Sequence, residues 1–431
     1  MSIIAESKTS AAAHKVAQAR RIRVLFINDT SRNGGPGRTI LYIAKFLDPA
    51  LVHRTILVPR EGIVSRRLAD AGAAEEIFFE RGLIENIYEP LSRPIERNDF
   101  DVPLPLKVAR AAGNVAIGTA GFVRLLRRAR KERYDLIFCN GTSAGFLGAA
   151  IAAATGIPAI WHVLYPSVPA SARPLHRALA ASRNVRLIIC VSRPTSPQFA
   201  HCSEKVRAIQ TALDIDEFDA HATAPVLRKE LGLDDKMVIF GSHGRILPRK
   251  GFIELIRAAR IVVDKLEPVD RTRCRFVILG DTPQDMRPDH LEECRMLVRE
   301  LNLTDQVQFI GFRPDVRPYV ADFDVSIVPS VYEDPLPRAV MESMAMSKPV
   351  VAFAMGGIAE MIDDGVEGRL ARGRPPDVET LAGACLDYFF DPDMRQRHGI
   401  AARKRIERDF DARQHARMLQ DEMFRIVNMV G

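Results

Sequence analysis

Short apolar runs alternate with longer stretches of helical periodicity along almost the whole chain. That alternation predicts parallel strands buried on both faces and joined by helices. In the first half the strand runs are Arg23–Asn28, Arg54–Val58, Leu136–Cys139, Ala159–Val163 and Leu187–Val191. In the second they are Met237–Ser242, Arg275–Leu279, Val307–Ile310, Val325–Val328 and Pro349–Phe353. Two such sets predict an α/β protein with two doubly wound parallel-sheet domains, and 431 residues exceed what one hydrophobic core usually supports. The join is expected between Asp214 and Val226, where IDEFDAHATAP loses its apolar periodicity, giving one domain over 21–218 and a second over 219–410. Residues 1–20 lack the apolar core of a secretory signal and read as a flexible tail, so a cytoplasmic location is expected. Over 411–431, Ala416, Met418, Leu419, Met423, Phe424 and Ile426 recur at helical spacing and predict an amphipathic helix.

The uncharged stretch from Asn140 to Ala172 is long enough to raise a membrane span, but Gly156 and Pro158 divide it. It reads instead as a small-residue helix over Gly145–Thr155 followed by a buried strand. The six cysteines show no CxxC and no paired spacing, which argues against a disulfide framework or a zinc site, and no metal is expected. The net charge of +7 is uneven: residues 1–215 carry 30 Lys and Arg against 17 Asp and Glu, the remainder 31 against 37. A basic front half suggests an anionic partner there, whether a membrane surface, an anionic acceptor or nucleic acid, with a solvated basic surface as the plain alternative. The segment GFVRLLRRARKER sets Arg124, Arg127, Arg128, Arg130 and Lys131 opposite an apolar side, a composition that suits a helix lying on an anionic membrane or one simply solvated. No recognised nucleic-acid module accompanies the charge.

The candidate chemistry lies just past strand ends. Arg245 and Lys250, in GRILPRKGF, follow an apolar strand and suit a diphosphate, whose charge needs fixed donors while a bond to it breaks. A solvated loop is the alternative. In YEDPLPRAVMESMAMSKPVV, Asp334 and Glu342 flank a helix start; capping would explain Asp334, whereas Glu342 has little reason to be there unless it accepts hydrogen bonds, for example from a ribose. Gly356, Gly357 and Ile358 open a helix and can present N–H groups to phosphate, and the backbone at Phe312 and Arg313 can hold a base. Gly34 and Gly35 lie in a glycine-rich loop between strand and helix that lacks both the P-loop and the full dinucleotide pattern. His162 ends a buried strand, where a packed core histidine and a catalytic one are both open readings.

Taken in order, GGPGR, the strand-end His162, Ser192 after ICV, GRILPRKG, ILGD, FIGF, the acidic motif, ESMAMSKPVVA and GGIAEMIDDGVEGRL resemble glycosyltransferase family 4 from Arg23 onward. The resemblance implies a GT-B fold, two Rossmann-like domains facing a central cleft, with the last helix returning to the front domain. It further implies retaining, metal-independent transfer of a sugar from a UDP- or GDP-sugar to a hydroxyl acceptor, in cell-surface polysaccharide or glycolipid assembly, with no cofactor besides the nucleotide sugar. By position, Arg245 and Lys250 match the diphosphate-gripping pair and Glu342 the ribose-holding acid. Asp334 stands where the family has a glutamate contacting the donor sugar, with Glu333 one residue away as the alternative. Gly34 and Gly35 match the loop near sugar and acceptor, and His162 a histidine near the reacting sugar. A sugar-nucleotide isomerase or phosphorylase, or a non-catalytic sugar-nucleotide-binding protein, would use the same scaffold.

Overall fold

The computed structural model describes residues 20–32, 34–80, 104–283 and 289–429. The expected tail over 1–20 falls outside them but for its last residue. Every strand pairing is parallel, in two sheets. The first runs in the order β3-β2-β1-β4-β5-β6-β7 and the second β10-β9-β8-β11-β12-β13. The first is built from β1 (Ile22–Asn28), β2 (Val52–Val58), β3 (Glu76–Phe79), β4 (Leu136–Asn140), β5 (Ala159–Val163), β6 (Val185–Cys190) and β7 (Val206–Ala208). The second comprises β8 (Val238–His243), β9 (Cys274–Leu279), β10 (Val307–Gly311), β11 (Val325–Val328), β12 (Val350–Phe353) and β13 (Gly368–Ala371).

All ten expected strands are present within two residues at each end. The three that the pattern did not predict, β3, β7 and β13, each form an edge of a sheet. An edge strand is covered less completely, so EIFF, VRA and GRLA carry no long apolar run to announce them.

Among the described residues the α-helices of eight residues or more are α1 (Gly35–Phe46), α2 (Ile63–Asp70), α3 (Leu104–Glu132), α4 (Thr142–Thr155), α5 (Arg173–Ala181), α6 (Phe252–Lys265), α7 (His290–Glu300), α8 (Arg338–Ala345), α9 (Val378–Phe390), α10 (Pro392–Asp409) and α11 (Ala412–Asn428). The uncharged stretch after Asn140 is α4, capped by left-handed Gly156, then β5. Among the described residues no helix is long and apolar enough to cross a membrane.

Strand order reverses between β1 and β4 in one sheet and between β8 and β11 in the other. Open α/β sheets bind ligands at the carboxyl ends of the strands beside such a switch. The glycine loop after β1 and both charged motifs after β8 and β11 therefore occupy the two favoured positions.

The chain returns to its first half at the end. Leu213 N–H donates to the Phe410 carbonyl at 2.9 Å and Ala412 N–H to the Leu213 carbonyl at 2.9 Å, pinning the return beside the first crossing. From there α11 lies against α1, with the Asp48 N–H bonded to Gln420 Oε1 at 2.9 Å and Arg413 over the Phe46 ring at 4.8 Å. It buries Ala416, Leu419, Met423 and Ile426, while Met418, read as part of the same apolar face, is 52% exposed. Met423→Ala is expected to cost about 2–5 kcal/mol of stability, the usual range for deleting a fully buried methionine side chain; urea unfolding measures it, and a loss within error of zero would show that α11 is not anchored here.

Candidate functional site

Strand β8 is buried throughout and delivers His243 at its carboxyl end. Gly244 turns the chain, Arg245 follows on the exposed turn, and Pro248–Lys250 form a single helical turn before α6. Gly251 ends that turn at φ 74°, and a Cβ there would lie 1.8 Å from the Pro329 carbonyl. Only glycine lets the turn seat against the end of β11. Seated there, Lys250 Nζ is 2.5 Å from Asp334 Oδ2, and the Ser330 hydroxyl donates to the same oxygen at 3.4 Å. Arg249 and Lys250 both lie over the Tyr332 ring, at 5.2 and 5.4 Å. Burial, and then the Asp334 charge, push the Tyr332 hydroxyl well above its ordinary range, so it stays a neutral phenol.

Helix α8 begins after Pro337 and buries Glu342 in its second turn. The His243 Nε2 lies 3.1 Å from Glu342 Oε2, and Arg338 Nε donates to Oε1 at 3.2 Å. Burial alone would raise this carboxyl, but the His243 hydrogen bond and the charges of Arg338, His243 and Arg38 hold it down to about 2. A carboxylate accepts more hydrogen bonds than these two, so capacity for further donors remains.

The neighbouring acids face opposite ways. Asp334 turns to Lys250, whereas Glu333 accepts from the Gly356 N–H at 2.9 Å and from Arg374 at 2.5 Å. The Gly356–Ile358 turn consequently differs from the open phosphate cradle that its sequence suggests. Gly357 N–H donates to the Asp334 carbonyl at 2.8 Å and Ile358 N–H to the Met355 carbonyl at 3.1 Å, so all three N–H groups are already engaged. The cause is close packing: a Cβ on Gly356, at φ 55°, would meet the Asp334 carbonyl at 2.3 Å. Gly356 N–H is the one held by a side chain rather than by the backbone, and Glu333 occupies the place of an anion there. Farther along the sheet, Gly280 N–H donates to the Gly311 carbonyl at 2.9 Å and fixes the chain leading to Phe312, which is 58% exposed. The Arg313 guanidinium is bound to Tyr319 Oη at 2.8 Å and Glu230 at 2.5 Å, leaving its backbone as the part available to a base.

Across the cleft, Gly34 and Gly35 begin α1, and a Cβ on Gly35 would come within 4.0 Å of Arg338 Cδ. Arg338 also lies 5.3 Å over the ring of Tyr42, whose hydroxyl donates to Glu217 at 2.8 Å. The glycine loop thus faces the start of α8 directly.

His162 ends β5 in the interior of the first domain. It is 1% exposed, with Nδ1 bonded to Asn140 Oδ1 at 2.9 Å and its ring 6.1 Å from that of His415 on α11. Asn140 spends its amide hydrogens on Asn28 Oδ1 at 2.6 Å and the Pro36 carbonyl at 3.0 Å, so its oxygen must accept and His162 carries its proton on Nδ1. Burial holds both histidines neutral: it lowers His415 to about 4, and burial and then His415 lower His162 well below the usual range. The structure thus places His162 beneath the glycine loop, joined to it through Asn140, with its Nε2 buried and without a hydrogen-bond partner.

The pattern of the sequence also missed Asn28, Asn140, His243 and Arg338; only His243 carried a signal, as a polar end to an apolar strand. Asp29, next to Asn28, accepts from the Ser143 N–H at 3.2 Å at the start of α4, and burial raises its carboxyl to about 6 against these backbone donors. The basic side of α3 is partly paired: Arg124 Nε bonds Glu80 at 3.0 Å, Arg128 pairs with Glu76 and lies 4.1 Å over Phe78, and Arg130 bonds the Ala154 carbonyl at 3.3 Å. Arg124, Arg127, Arg130 and Lys131 are exposed on that side, and Arg128 is partly buried.

Two outcomes follow from this geometry. The folded Glu342 carboxyl titrates lower than in the unfolded chain, so its contribution to stability is complete above about pH 4.5 and lost as pH falls toward 2; the shift corresponds to on the order of 3 kcal/mol. Urea unfolding from pH 7 to pH 2.5 should show a flatter acid limb in Glu342→Gln, and an unchanged limb would remove the ion cluster from the account. His162→Ala leaves the Asn140 oxygen without its donor, at a cost of about 1–3 kcal/mol. Amide hydrogen exchange at 34–38 should accelerate in that variant and recover in His162→Gln, which restores an N–H; protection unaffected by His162→Ala would break the link to the glycine loop.

The profile described as Glycosyltransferase Family 4 matches residues 33–217, and that described as Glycosyl transferases group 1 matches residues 224–405. A D-inositol 3-phosphate glycosyltransferase of Kribbella flavida is 31% identical over 46% of this chain and 46% of its own length. A D-inositol 3-phosphate glycosyltransferase 2 of Catenulispora acidiphila is 27% identical over 75% of this chain and 80% of its own. The chain thus spans less than half of the first relative and most of the second. In fold it is similar to the crystal structure of Anabaena HepE in complex with UDP-glucose, with a TM-score of 0.74, 21% identity, and coverage of 94% of this chain and 99% of that one. With both halves matched in order and two Rossmann-like sheets in the GT-B arrangement, the chain belongs to glycosyltransferase family 4.

Proposed function

We propose that the protein transfers a glycosyl group from a nucleotide diphosphate sugar, UDP- or GDP-linked, to a hydroxyl of an acceptor. The observation that carries this reading is the convergence of Arg245, Lys250, Asp334 and Glu342 at the β8–β11 switch, opposite the glycine loop of the other domain. Glu342, kept ionised by His243 and Arg338, accepts from the ribose hydroxyls. The base rests on the backbone at Phe312 and Arg313. The donor diphosphate takes Lys250 from Asp334 and meets Arg245, and the two cations stabilise the charge that grows on the leaving group, with no metal or further cofactor in the scheme. Asp334, released, accepts from hydroxyls of the donor sugar.

The acceptor lies on the glycine-loop side, and its hydroxyl attacks the face from which the diphosphate departs, retaining the anomeric configuration. Closure of the cleft excludes water and favours transfer over hydrolysis. The named relatives act on inositol 3-phosphate, which supports a phosphate-bearing acceptor or, given the exposed Arg127 and Lys131 on α3, one presented at an anionic membrane surface in polysaccharide or glycolipid assembly. A cytoplasmic site of action, peripheral to the membrane, accords with both.

Calorimetry with UDP-, GDP- and ADP-sugars tests the donor site. One donor should bind tightly and lose about 2 kcal/mol or more in Lys250→Ala and in Glu342→Ala, the usual cost of truncating one partner of a buried charged contact. Failure of every donor to bind would overturn the assignment. Binding without turnover against any acceptor would move the protein to the non-catalytic reading.

A further inference from the structure

We propose that Glu360 is a positioning residue of the donor site: it clasps the two domains together and, through the Gly356–Ile358 turn, passes the angle of the cleft to the loop that holds Lys250. This rests on the glycosyl-transfer reading and deepens it by naming how the relative position of the domains reaches the donor side.

Glu360 stands on the helical turn Ile358–Met361 of the second domain and is half-buried. Both of its carboxylate oxygens are taken by the first domain. Oε1 accepts from the Arg193 N–H at 2.7 Å, just past β6, and Oε2 from Gln210 Nε2 at 3.0 Å, just past β7. The contact beside them is tight: a Cβ on Gly357 would stand 3.1 Å from Ser192 Cβ of the first domain and 1.8 Å from the Pro335 carbonyl of its own. A carboxylate acceptor makes both bonds stronger than neutral ones, and hydrogen bonds tolerate only a few tenths of an ångström of stretch. Gln210 lies just before Leu213, which bonds to the returning chain at Phe410 and Ala412, so the clasp sits close to the pivot. A small displacement there becomes a large one at the far edge of the cleft. Arg338 over Tyr42 grips the first domain at α1, whereas Glu360 grips it past β6 and β7. Two grips on separate elements fix an orientation that one would leave free to rotate.

The inner side of the clasp leads to the donor cation. The Glu360 N–H donates to the Gly357 carbonyl at 3.1 Å, the Gly357 N–H to the Asp334 carbonyl at 2.8 Å, and Asp334 Oδ2 accepts from Lys250 at 2.5 Å. Arg405 braces the turn, donating to the Glu360 carbonyl at 3.3 Å and to Asp363 Oδ2 at 2.9 Å. Gly357 is wedged between Ser192 and Pro335, so a rotation of the first domain displaces the loop that carries Asp334. The clasp is also reversible. Arg193 is exposed and Gln210 and Glu360 are only half-buried, so water takes over their hydrogen bonds when they part. A contact serving stability alone would change the melting temperature and leave domain spacing and donor affinity as they were.

The test uses the full chain carrying spin labels at Leu175→Cys on α5 and Met296→Cys on α7, two exposed sites in different domains; the six native cysteines are buried, so labelling is selective. Dipolar spectroscopy compares this parent with Glu360→Ala, Gln210→Glu and the exchange Gln210→Glu/Glu360→Gln. In the exchange an amide at 360 still accepts from Arg193 and donates to a carboxylate at 210. Each single variant should broaden the interdomain distance distribution, the population at the parent distance falling about tenfold against the rest, and the exchange should restore it. Calorimetry with the sugar nucleotide that binds in the donor panel should show about tenfold weaker affinity in Glu360→Ala, recovered in the exchange. Thermal melting checks that every variant folds. A distribution unchanged by Glu360→Ala, or one that the exchange fails to restore, overturns the proposal. If the distances shift and recover but no sugar nucleotide binds the parent, the glycosyl-transfer reading fails and the clasp stands; if a donor binds parent and Glu360→Ala alike, this proposal alone fails.

Discussion

One buried carboxylate organises the cleft. Taking Glu342 out of water is costly unless its charge is met, and the protein meets it with His243 from the end of β8 and Arg338 from the preceding turn of its own helix. Each partner is fixed in turn. His243 cannot swing away without leaving Glu342 Oε2 without its partner, which holds the end of β8 and the start of the turn carrying Arg245 and Lys250 in place. Arg338, drawn toward Glu342, lays its guanidinium over Tyr42 and so couples the second domain to α1 and the glycine loop. The ionised state of one side chain thereby ties the end of β8, the start of α8 and the opposite wall of the cleft to one another.

How much of this was legible in the sequence depends on how local each interaction is. Central strands of a parallel sheet are covered on both faces, so Val24 to Ile27 or Ile137 to Cys139 appear as unbroken apolar runs, and every one of them is a strand. The edges β3, β7 and β13 have no such run, and their pairing partners supply the order that their own residues do not. At the site, charges placed just past strand ends were readable because strand direction alone determines which end faces a ligand. The partners of those charges were not: His243 and Glu342 are 99 residues apart, and only the β8–β11 switch brings them together.

Where the sequence reading went astray, the reason was the direction of a side chain or the fate of a backbone donor. Successive residues of β5 point to opposite faces, and position alone could not tell whether His162 faced the cleft or the return helix. Its neighbour in space, His415, lies 253 positions later. The Gly-Gly turn promised open N–H groups, but the acidic loop takes those of Gly356 and Gly357 and the turn's own Met355 carbonyl takes that of Ile358. On α3 the arginines looked like one basic face because their counter-charges, Glu76 and Glu80, belong to the edge strand that the pattern did not reveal.

The two walls of the cleft are built on different principles, and the difference matters for what each can do. Beneath the glycine loop the network is neutral: His162, Asn140, Asn28 and the Pro36 carbonyl form a chain in which each donor has one acceptor, sealed from water and held uncharged by burial. Breaking such a chain leaves a buried donor or acceptor without its partner, in addition to His162 Nε2, which has none. On the opposite wall the contacts are ionic, Lys250 with Asp334 and Glu333 with Arg374, and each partner can be exchanged for a ligand of the same sign. A phosphate can take Lys250 from Asp334 with the loss of one charge-assisted contact compensated by another. A reaction at the cleft would thus meet one wall held by buried neutral hydrogen bonds and one held by ion pairs, contacts that a charged ligand can exchange.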